Sequence, residues 1–361
     1  MTKQLNLHLS FLLNMRVLLD ISTEDVKQNR PFVFNSTFCI ELTKRFPEVE
    51  WLFLAHPDQI QSGVLNGLTL TESRLSFKQS FLKTYFYKKA FTKKISSLQP
   101  QVIISPLVTT RHSINCYLLH THQQIHKLQP GALQRYNLIL AGSLELKQML
   151  LEKLPHIQQQ IKVVPAIPRE EFKPQTDESS VQLREELCNG YQFFLLNNVV
   201  VSIPKMVQLL KAFSFFKKRL KSGMRLVINI KKNEELATLL ATYKYKDDVI
   251  LIEETNAAHL AILTAAAYAV IHYAAYDSYV LPQEAQCCNV PVVMLQPPSH
   301  GQQTDLYIYA PELDADAIAQ QLMLLYKDEV YRNNMIQNGA GHLPAYSAEA
   351  ATSALFSFIK Q

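Results

Sequence analysis

The sequence predicts an α/β protein made of two parallel-sheet domains. Three observations carry that reading. Short, wholly apolar β-type runs alternate with amphipathic segments, the pattern of strands covered by helices on both faces. The alternation halts at one polar, proline-bearing run, FKPQTDESSVQ at residues 172–182, and then restarts. The length, 361 residues, is about what two domains of ordinary size need.

Along the first half, RVLLDI (16–21) reads as a strand, 35–46 as a helix, and VEWLFLA (49–55) as a second strand. Residues 74–98 read as a basic helix. VIIS (102–105), 115–119 and LILA (138–141) are further strands. SLELKQMLLEKL (143–154) is a helix with Ser143 placed to cap it. A short strand at 162–164 precedes the polar run. The second half repeats the scheme: strands at 192–196, 225–230, 249–252, 269–273 and 291–295, with helices at 205–220, 233–243, 257–267 and from 282. Helices at 315–326, 329–339 and 347–359 close the chain. Residues 257–276 are apolar enough to suggest a membrane span, but they change from alanine-rich to β-type midway. They read as a buried helix running into a buried strand.

Domain boundaries follow: a lead at 1–14, a first domain at 15–171, a linker at 172–182, a second domain at 183–345, and a last helix at 346–361 that packs back on the first domain. Met15, immediately before RVLLDI, is a candidate true start, and no small-residue cleavage site follows the apolar patch before it. Two such α/β domains facing one another bind ligands at the carboxyl ends of their strands.

Composition narrows the function. With 48% hydrophobic and 19% charged residues the chain is globular, and a net charge of +5 suits anionic ligands or a membrane surface rather than nucleic acid. Five cysteines with no CxxC pair suit a reducing cytoplasm. Nine glycines is a low count, so loops that wrap phosphate closely are scarce. No GxSxG, GxxxxGK[ST] or HExxH occurs, and no GxGxxG follows RVLLDI, which argues against a nicotinamide dehydrogenase. No repeat of 20–50 residues points to a solenoid.

The order of segments resembles the glycosyltransferases of the GT-B fold, most closely family 4. The resemblance rests on LILAGSLELKQMLLEKL with IKVVPAIPREEFKP, on YQFFLLNNVVVSIPKMVQLLKAFSFFKKRL, on HLAILTAAAYAVIHYAAYDSYVLPQEAQCCNVPVVML, and on the closing helices. That family carries a Glu, seven residues and a second Glu that begins a helix before a Pro-Val-Val strand. Glu284 matches the second Glu. The first position is Tyr276, with Asp277 one place off register, and Ser278 and Tyr279 stand where glycines are usual.

The resemblance implies transfer of a sugar from a nucleotide donor to a glycan or lipid-linked acceptor, with the anomeric configuration retained and no metal or other cofactor. It suggests a role in cell-surface polysaccharide synthesis. Glu284 would accept hydrogen bonds from the two ribose hydroxyls of the donor, favoured by a place in the first turn of its helix. The N–H groups near Gln286 and Cys287 would face the diphosphate. The bland reading of Glu284 is a helix N-terminal acid. Lys205 stands beside the family's lysine position at Pro204, Asn198 at its glycine position, and Val199 where an arginine is usual; Lys231 or Lys232 is a candidate replacement cation. Tyr276 or Asp277 would meet the transferred sugar. Cys287 and Cys288 fall where packing residues are usual.

In the first domain, His120 falls where the family has a histidine near the sugar. YLLHTHQQIH adds His122 and His126, but no further ligand with zinc spacing accompanies them, so no metal is expected. The family's glycine-rich acceptor loop is absent, and Asn29 and Arg30 occupy its neighbourhood. The 76–94 segment carries six lysines among Phe and Tyr. It reads either as a covering helix with a solvated face or as a peripheral contact with the inner face of the membrane. A rival reading of the whole is a GT-B protein that keeps the fold, has lost transfer, and serves as a partner or regulator.

Overall fold

In the computed structural model the described residues are 15–21, 36–55, 57, 60, 68–72, 92–105, 109–119, 125, 128, 130–197, 201–231, 234–254, 256–273, 280–295, 305–310 and 314–360. They divide into two compact units. The first holds the described residues up to Ile167 together with those from Ala348 on; the second is Pro168–Ser347.

The first unit is built on a sheet with strands β1 (Arg16–Asp20), β2 (Glu50–Ala55), β3 (Leu70–Glu72), β4 (Val102–Ile104), β5 (Ile114–Leu119), β6 (Leu138–Ala141) and β7 (Ile161–Val163). Their order is β3-β2-β1-β4-β5-β6-β7. Every described pairing is parallel; at the centre Leu18 lies between Leu52 and Ile103. Antiparallel neighbours need only a hairpin, whereas parallel neighbours need crossovers, and the helices supply them. These are α1 (Ser36–Arg45), a helical stretch at 92–97 and α2 (Leu144–Lys153). Ser143 caps α2 by accepting a 3.2 Å hydrogen bond from the Leu146 N–H.

The second unit repeats the plan with β8 (Phe193–Asn197), β9 (Arg225–Asn229), β10 (Val249–Ile252), β11 (Ala269–His272), β12 (Val292–Met294) and β13 (Ile308–Tyr309). Their order is β10-β9-β8-β11-β12-β13, again parallel. Its helices are α3 (Asp177–Cys188), α4 (Ile203–Leu220), α5 (Glu234–Ala241), α6 (Ala257–Ala266), α7 (Val280–Cys287), α8 (Ala315–Lys327) and α9 (Glu329–His342). Phe194, Phe213 and Phe216 are wholly buried between β8 and α4, with the Phe194 and Phe216 rings edge to face at 5.2 Å. The apolar 257–276 run splits as its composition predicts, into α6 and β11, and no described helix is long and apolar enough to cross a membrane.

The last helix, α10 (Ala348–Ile359), belongs to the first unit. It packs on α1, where Phe46 stacks on Phe356 at 3.8 Å and Arg45 pairs with Glu349 at 2.9 Å.

Three local expectations need correction. Within the 172–182 run, expected as a linker, residues from Asp177 are helical. Thr176 caps α3 through the Ser179 N–H, and left-handed Asn189 ends it. Strands β3 and β13 have no counterpart in the sequence reading, because runs of three and two residues carry too little periodicity. Helix α7 starts at Val280, two residues before the expected start at 282. Pro282 in its third position costs little, because N–H groups of a first turn have no helical partner to lose.

Candidate functional site

Strand order reverses between β1 and β4 in the first sheet and between β8 and β11 in the second. At such switch points neighbouring crossovers diverge to opposite faces and leave a crevice at the carboxyl ends of the strands. In the second unit, the residues that flank this crevice are the first turn of α4, the end of β11 and helix α7.

Lys205 lies in the first turn of α4. Its carbonyl accepts a 2.9 Å hydrogen bond from the Tyr273 hydroxyl, and its Nζ lies 5.4 Å from the centre of the Tyr273 ring. Tyr273 follows β11 and is wholly buried, which pushes its hydroxyl pKa up. One aromatic side chain thus pins the start of α4 to the carboxyl end of β11, with a half-buried ammonium on its face.

Glu284 is the fifth residue of α7, so it sits one turn in and not in the first turn as expected. The dipole advantage of a first-turn acid is therefore reduced. The N–H groups of Gln286 and Cys287 likewise lie beyond the four that a helix leaves unpaired, so they are not the phosphate-facing donors expected. Gln286 instead packs inward: its amide donates to the Leu306 carbonyl at 3.1 Å, and Gly339 of α9 comes so close that a Cβ there would lie 2.8 Å from Gln286 Cγ.

The Glu284 carboxylate is 1% exposed and is held by Arg169. Arg169 Nε donates to Oε1 at 2.7 Å, Nη2 donates to Oε2 at 2.9 Å, and the Arg169 backbone N–H adds a 3.3 Å contact to Oε1. The guanidinium also lies 4.6 Å over the buried Phe172 ring. Burial pushes the Glu284 carboxyl above the usual carboxylate range, and the charge and hydrogen bonds of Arg169 pull it back down. Just past the end of α7, the Cys288 thiol is directed at the Ala261 carbonyl, 3.9 Å away. Burial raises the Cys287 thiol to about 11 and the Cys288 thiol further, so both are neutral, unreactive thiols.

Of the site residues expected from sequence, Glu284 in α7 and Lys205 in α4 are described, together with Gln286, Cys287, Cys288 and Lys231. His120, His122, His126, Tyr276, Asp277, Ser278, Tyr279, Asn198, Val199, Lys232, Asn29 and Arg30 lie outside the described residues, as does most of the 76–94 segment. Lys231 is exposed after β9. Among the described residues no group of three or more His, Cys, Asp or Glu is gathered for a metal ion.

The sequence reading missed Arg169 altogether. Its signal was faint: a lone arginine beside a proline and two glutamates. It also missed a carboxylate at the switch point of the first sheet. Asp20 ends β1, is 1% exposed, and accepts a 2.5 Å hydrogen bond from the buried Ser105 hydroxyl just past β4. A charged residue closing an otherwise apolar strand was the available clue.

Comparison with known proteins bears on the fold. Residues 203–342 match the family of group 1 glycosyl transferases. Among solved structures, HepE of Anabaena in complex with UDP-glucose superposes with a TM-score of 0.73 at 10% identity, covering 96% of this chain and 99% of that one. A glycosyltransferase from Rickettsia africae gives 0.72 at 12% identity, covering 96% and 98%. Sucrose-phosphate synthase from Thermosynechococcus elongatus gives 0.70 at 12% identity, covering 96% and 98%. At such identities the likeness establishes the shared GT-B fold. No curated protein sequence matches the chain.

Proposed function

We propose that this chain, whose residues 203–342 match the group 1 glycosyl transferases and whose fold is GT-B, transfers a hexose from a nucleotide-sugar donor to a glycan or lipid-linked acceptor, with retention of configuration. The observation that carries the reading is Glu284: a carboxylate on the helix that follows β11, beside the switch point of the matched domain. Solved HepE complexes with UDP and with UDP-glucose make a uridine nucleotide the first donor to try.

In this reading Glu284 holds the donor ribose, and Lys205 supplies one cation to the diphosphate. Asn198, Ser278 and Tyr279 line the donor site. His120 with Tyr276 or Asp277 meets the transferred sugar, and Asn29 and Arg30 belong to the acceptor side. The chemistry is departure of the nucleoside diphosphate from the anomeric carbon, assisted by positive charge at the leaving oxygens, without a metal or a protein nucleophile. The chain would work in the cytoplasm at the inner face of the membrane, its lysine-rich 76–94 segment against anionic lipid, in the synthesis of cell-surface polysaccharide.

A second reading has its own observation. Because Arg169 occupies the Glu284 carboxylate, the carboxylate also suits a structural tie in a GT-B protein that no longer transfers sugar and acts as a partner or regulator.

A thermal-shift panel of UDP, GDP and their sugars separates the two. A nucleotide at a hundredfold excess over its dissociation constant stabilises by about 2.7 kcal/mol. The transferase reading expects a shift of that order with at least one donor. No shift with any of them at millimolar concentration leaves the partner reading.

A further inference from the structure

We propose that Arg169 is a latch on the nucleotide site: its guanidinium closes over Glu284 in the resting chain and must leave before a ribose is gripped. The proposal rests on the nucleotide reading above and adds a regulatory step to it.

The first ground is a count of acceptor sites. An ionised carboxylate offers about four lone pairs, two on each oxygen. Arg169 engages both on Oε1, through Nε at 2.7 Å and the backbone N–H at 3.3 Å, and one on Oε2, through Nη2 at 2.9 Å. Among the described residues, Arg169 thus takes three of about four acceptor sites. A ribose 2′,3′-diol presents two hydroxyl donors, so gripping both demands a pair that the closed state does not have.

The second ground is access. The Glu284 side chain is 1% exposed and that of Arg169 12% exposed, so of the two side chains that of Arg169 is the one solvent reaches. A nucleotide cannot touch the carboxylate while the fork is in place.

The third ground is mechanical. Glu284 is fixed within α7, packed against the second sheet. Arg169 is the second residue of the second unit and lies in the irregular stretch between β7 and α3, tied by no strand or helix ladder. Irregular segments open at lower cost than packed helices, so Arg169 is the partner that moves. Phe172, under the guanidinium at 4.6 Å, steadies the closed position.

A latch of this kind taxes affinity. If the site is open about a tenth of the time, the apparent dissociation constant is about tenfold weaker than the intrinsic one. Arg169→Lys keeps a positive charge near Glu284 but loses the planar fork, so it loosens the latch without leaving a buried acid alone.

The test uses the full chain and UDP. Calorimetry should show UDP binding to Arg169→Lys about tenfold more tightly than to the wild-type chain. In the wild type, the Arg169 Nε–H resonance, assigned by its loss in Arg169→Lys, should shift and lose its protection from exchange as UDP saturates the site. UDP binding with an unmoved Arg169 Nε–H, or with equal or weaker affinity in Arg169→Lys, overturns the latch and leaves the nucleotide reading standing. Flat titrations for both proteins, with both shown folded by their melting curves, overturn the latch together with the nucleotide reading.

Discussion

In the first unit, Asp20 closes β1 and accepts a 2.5 Å hydrogen bond from Ser105, which follows the adjacent strand β4. In the second unit, Glu284 sits on α7 beyond β11 and is gripped by a guanidinium 115 residues away in sequence. Both carboxylates are 1% exposed, and both lie beside the point where strand order reverses. They differ in how their burial is made tolerable. Asp20 accepts a hydrogen bond from a hydroxyl just past a neighbouring strand, placed whenever the sheet forms. Glu284 depends on a charged group from a loop, which the sheet does not fix in place. A partner built into the sheet stabilises a fold. A partner that arrives from a loop leaves the acid available for something else once the loop moves, and the unit matched to the transferase family is the one with that arrangement.

The largest expected effect follows from breaking the charged pair outright. Arg169→Ala leaves a buried carboxylate without its cation and should cost about 3–5 kcal/mol in denaturant unfolding. The cost should depend on pH. Burial already raises the Glu284 carboxyl above its ordinary 4.5, and loss of Arg169 raises it further. A carboxyl that binds its proton more tightly in the folded chain weakens folding as pH climbs above the unfolded value. The deficit of Arg169→Ala should therefore shrink as pH falls from 7 towards 4.5; a deficit independent of pH would show that lost packing on Phe172 is its source.

The hydroxyl–carboxylate pair should break more gently. Ser105→Ala removes one hydrogen bond to a buried carboxylate and should cost about 1–3 kcal/mol, with no effect on nucleotide affinity. A loss as large as that of Arg169→Ala would erase the contrast between the two units.

The site's legibility in the sequence divides along similar lines. Strands and helices were readable wherever an apolar run or an amphipathic period set them, as in β1, β8 and α4. Helix α3 was not, because DESSVQLREELC is mostly polar and its helix is set by the Thr176 cap and by packing against α6. Glu284 was found because its motif is local: an acid, a short helix and a Pro-Val-Val strand in one stretch. Arg169 was not, because a fork closed by tertiary folding leaves no mark at either end of the chain segment it joins. Nor did composition locate the start of α7, where Pro282 suggested a first residue and the helix begins at Val280.

Smaller effects sharpen the functional side. Within the Arg169→Lys background, where the latch is loosened, Glu284→Gln should weaken UDP binding about tenfold, or 1.4 kcal/mol, because an amide accepts on one oxygen only. An unchanged affinity there would remove Glu284 from the binding site. Least of all, Lys205→Ala should weaken UDP by about 1.4- to fivefold, the range of about 0.2–1 kcal/mol for a solvent-reached charge. Uridine, which lacks the diphosphate, should bind both proteins equally; a parallel loss for uridine would indicate that the start of α4, tied to Tyr273, had shifted.

A crystal structure of the chain with UDP tests the central claim most directly. The account predicts the two ribose hydroxyls at hydrogen-bonding distance from the Glu284 carboxylate, with the Arg169 guanidinium withdrawn from it. UDP seated elsewhere, with the 2.7 and 2.9 Å contacts between Arg169 and Glu284 intact, would contradict it.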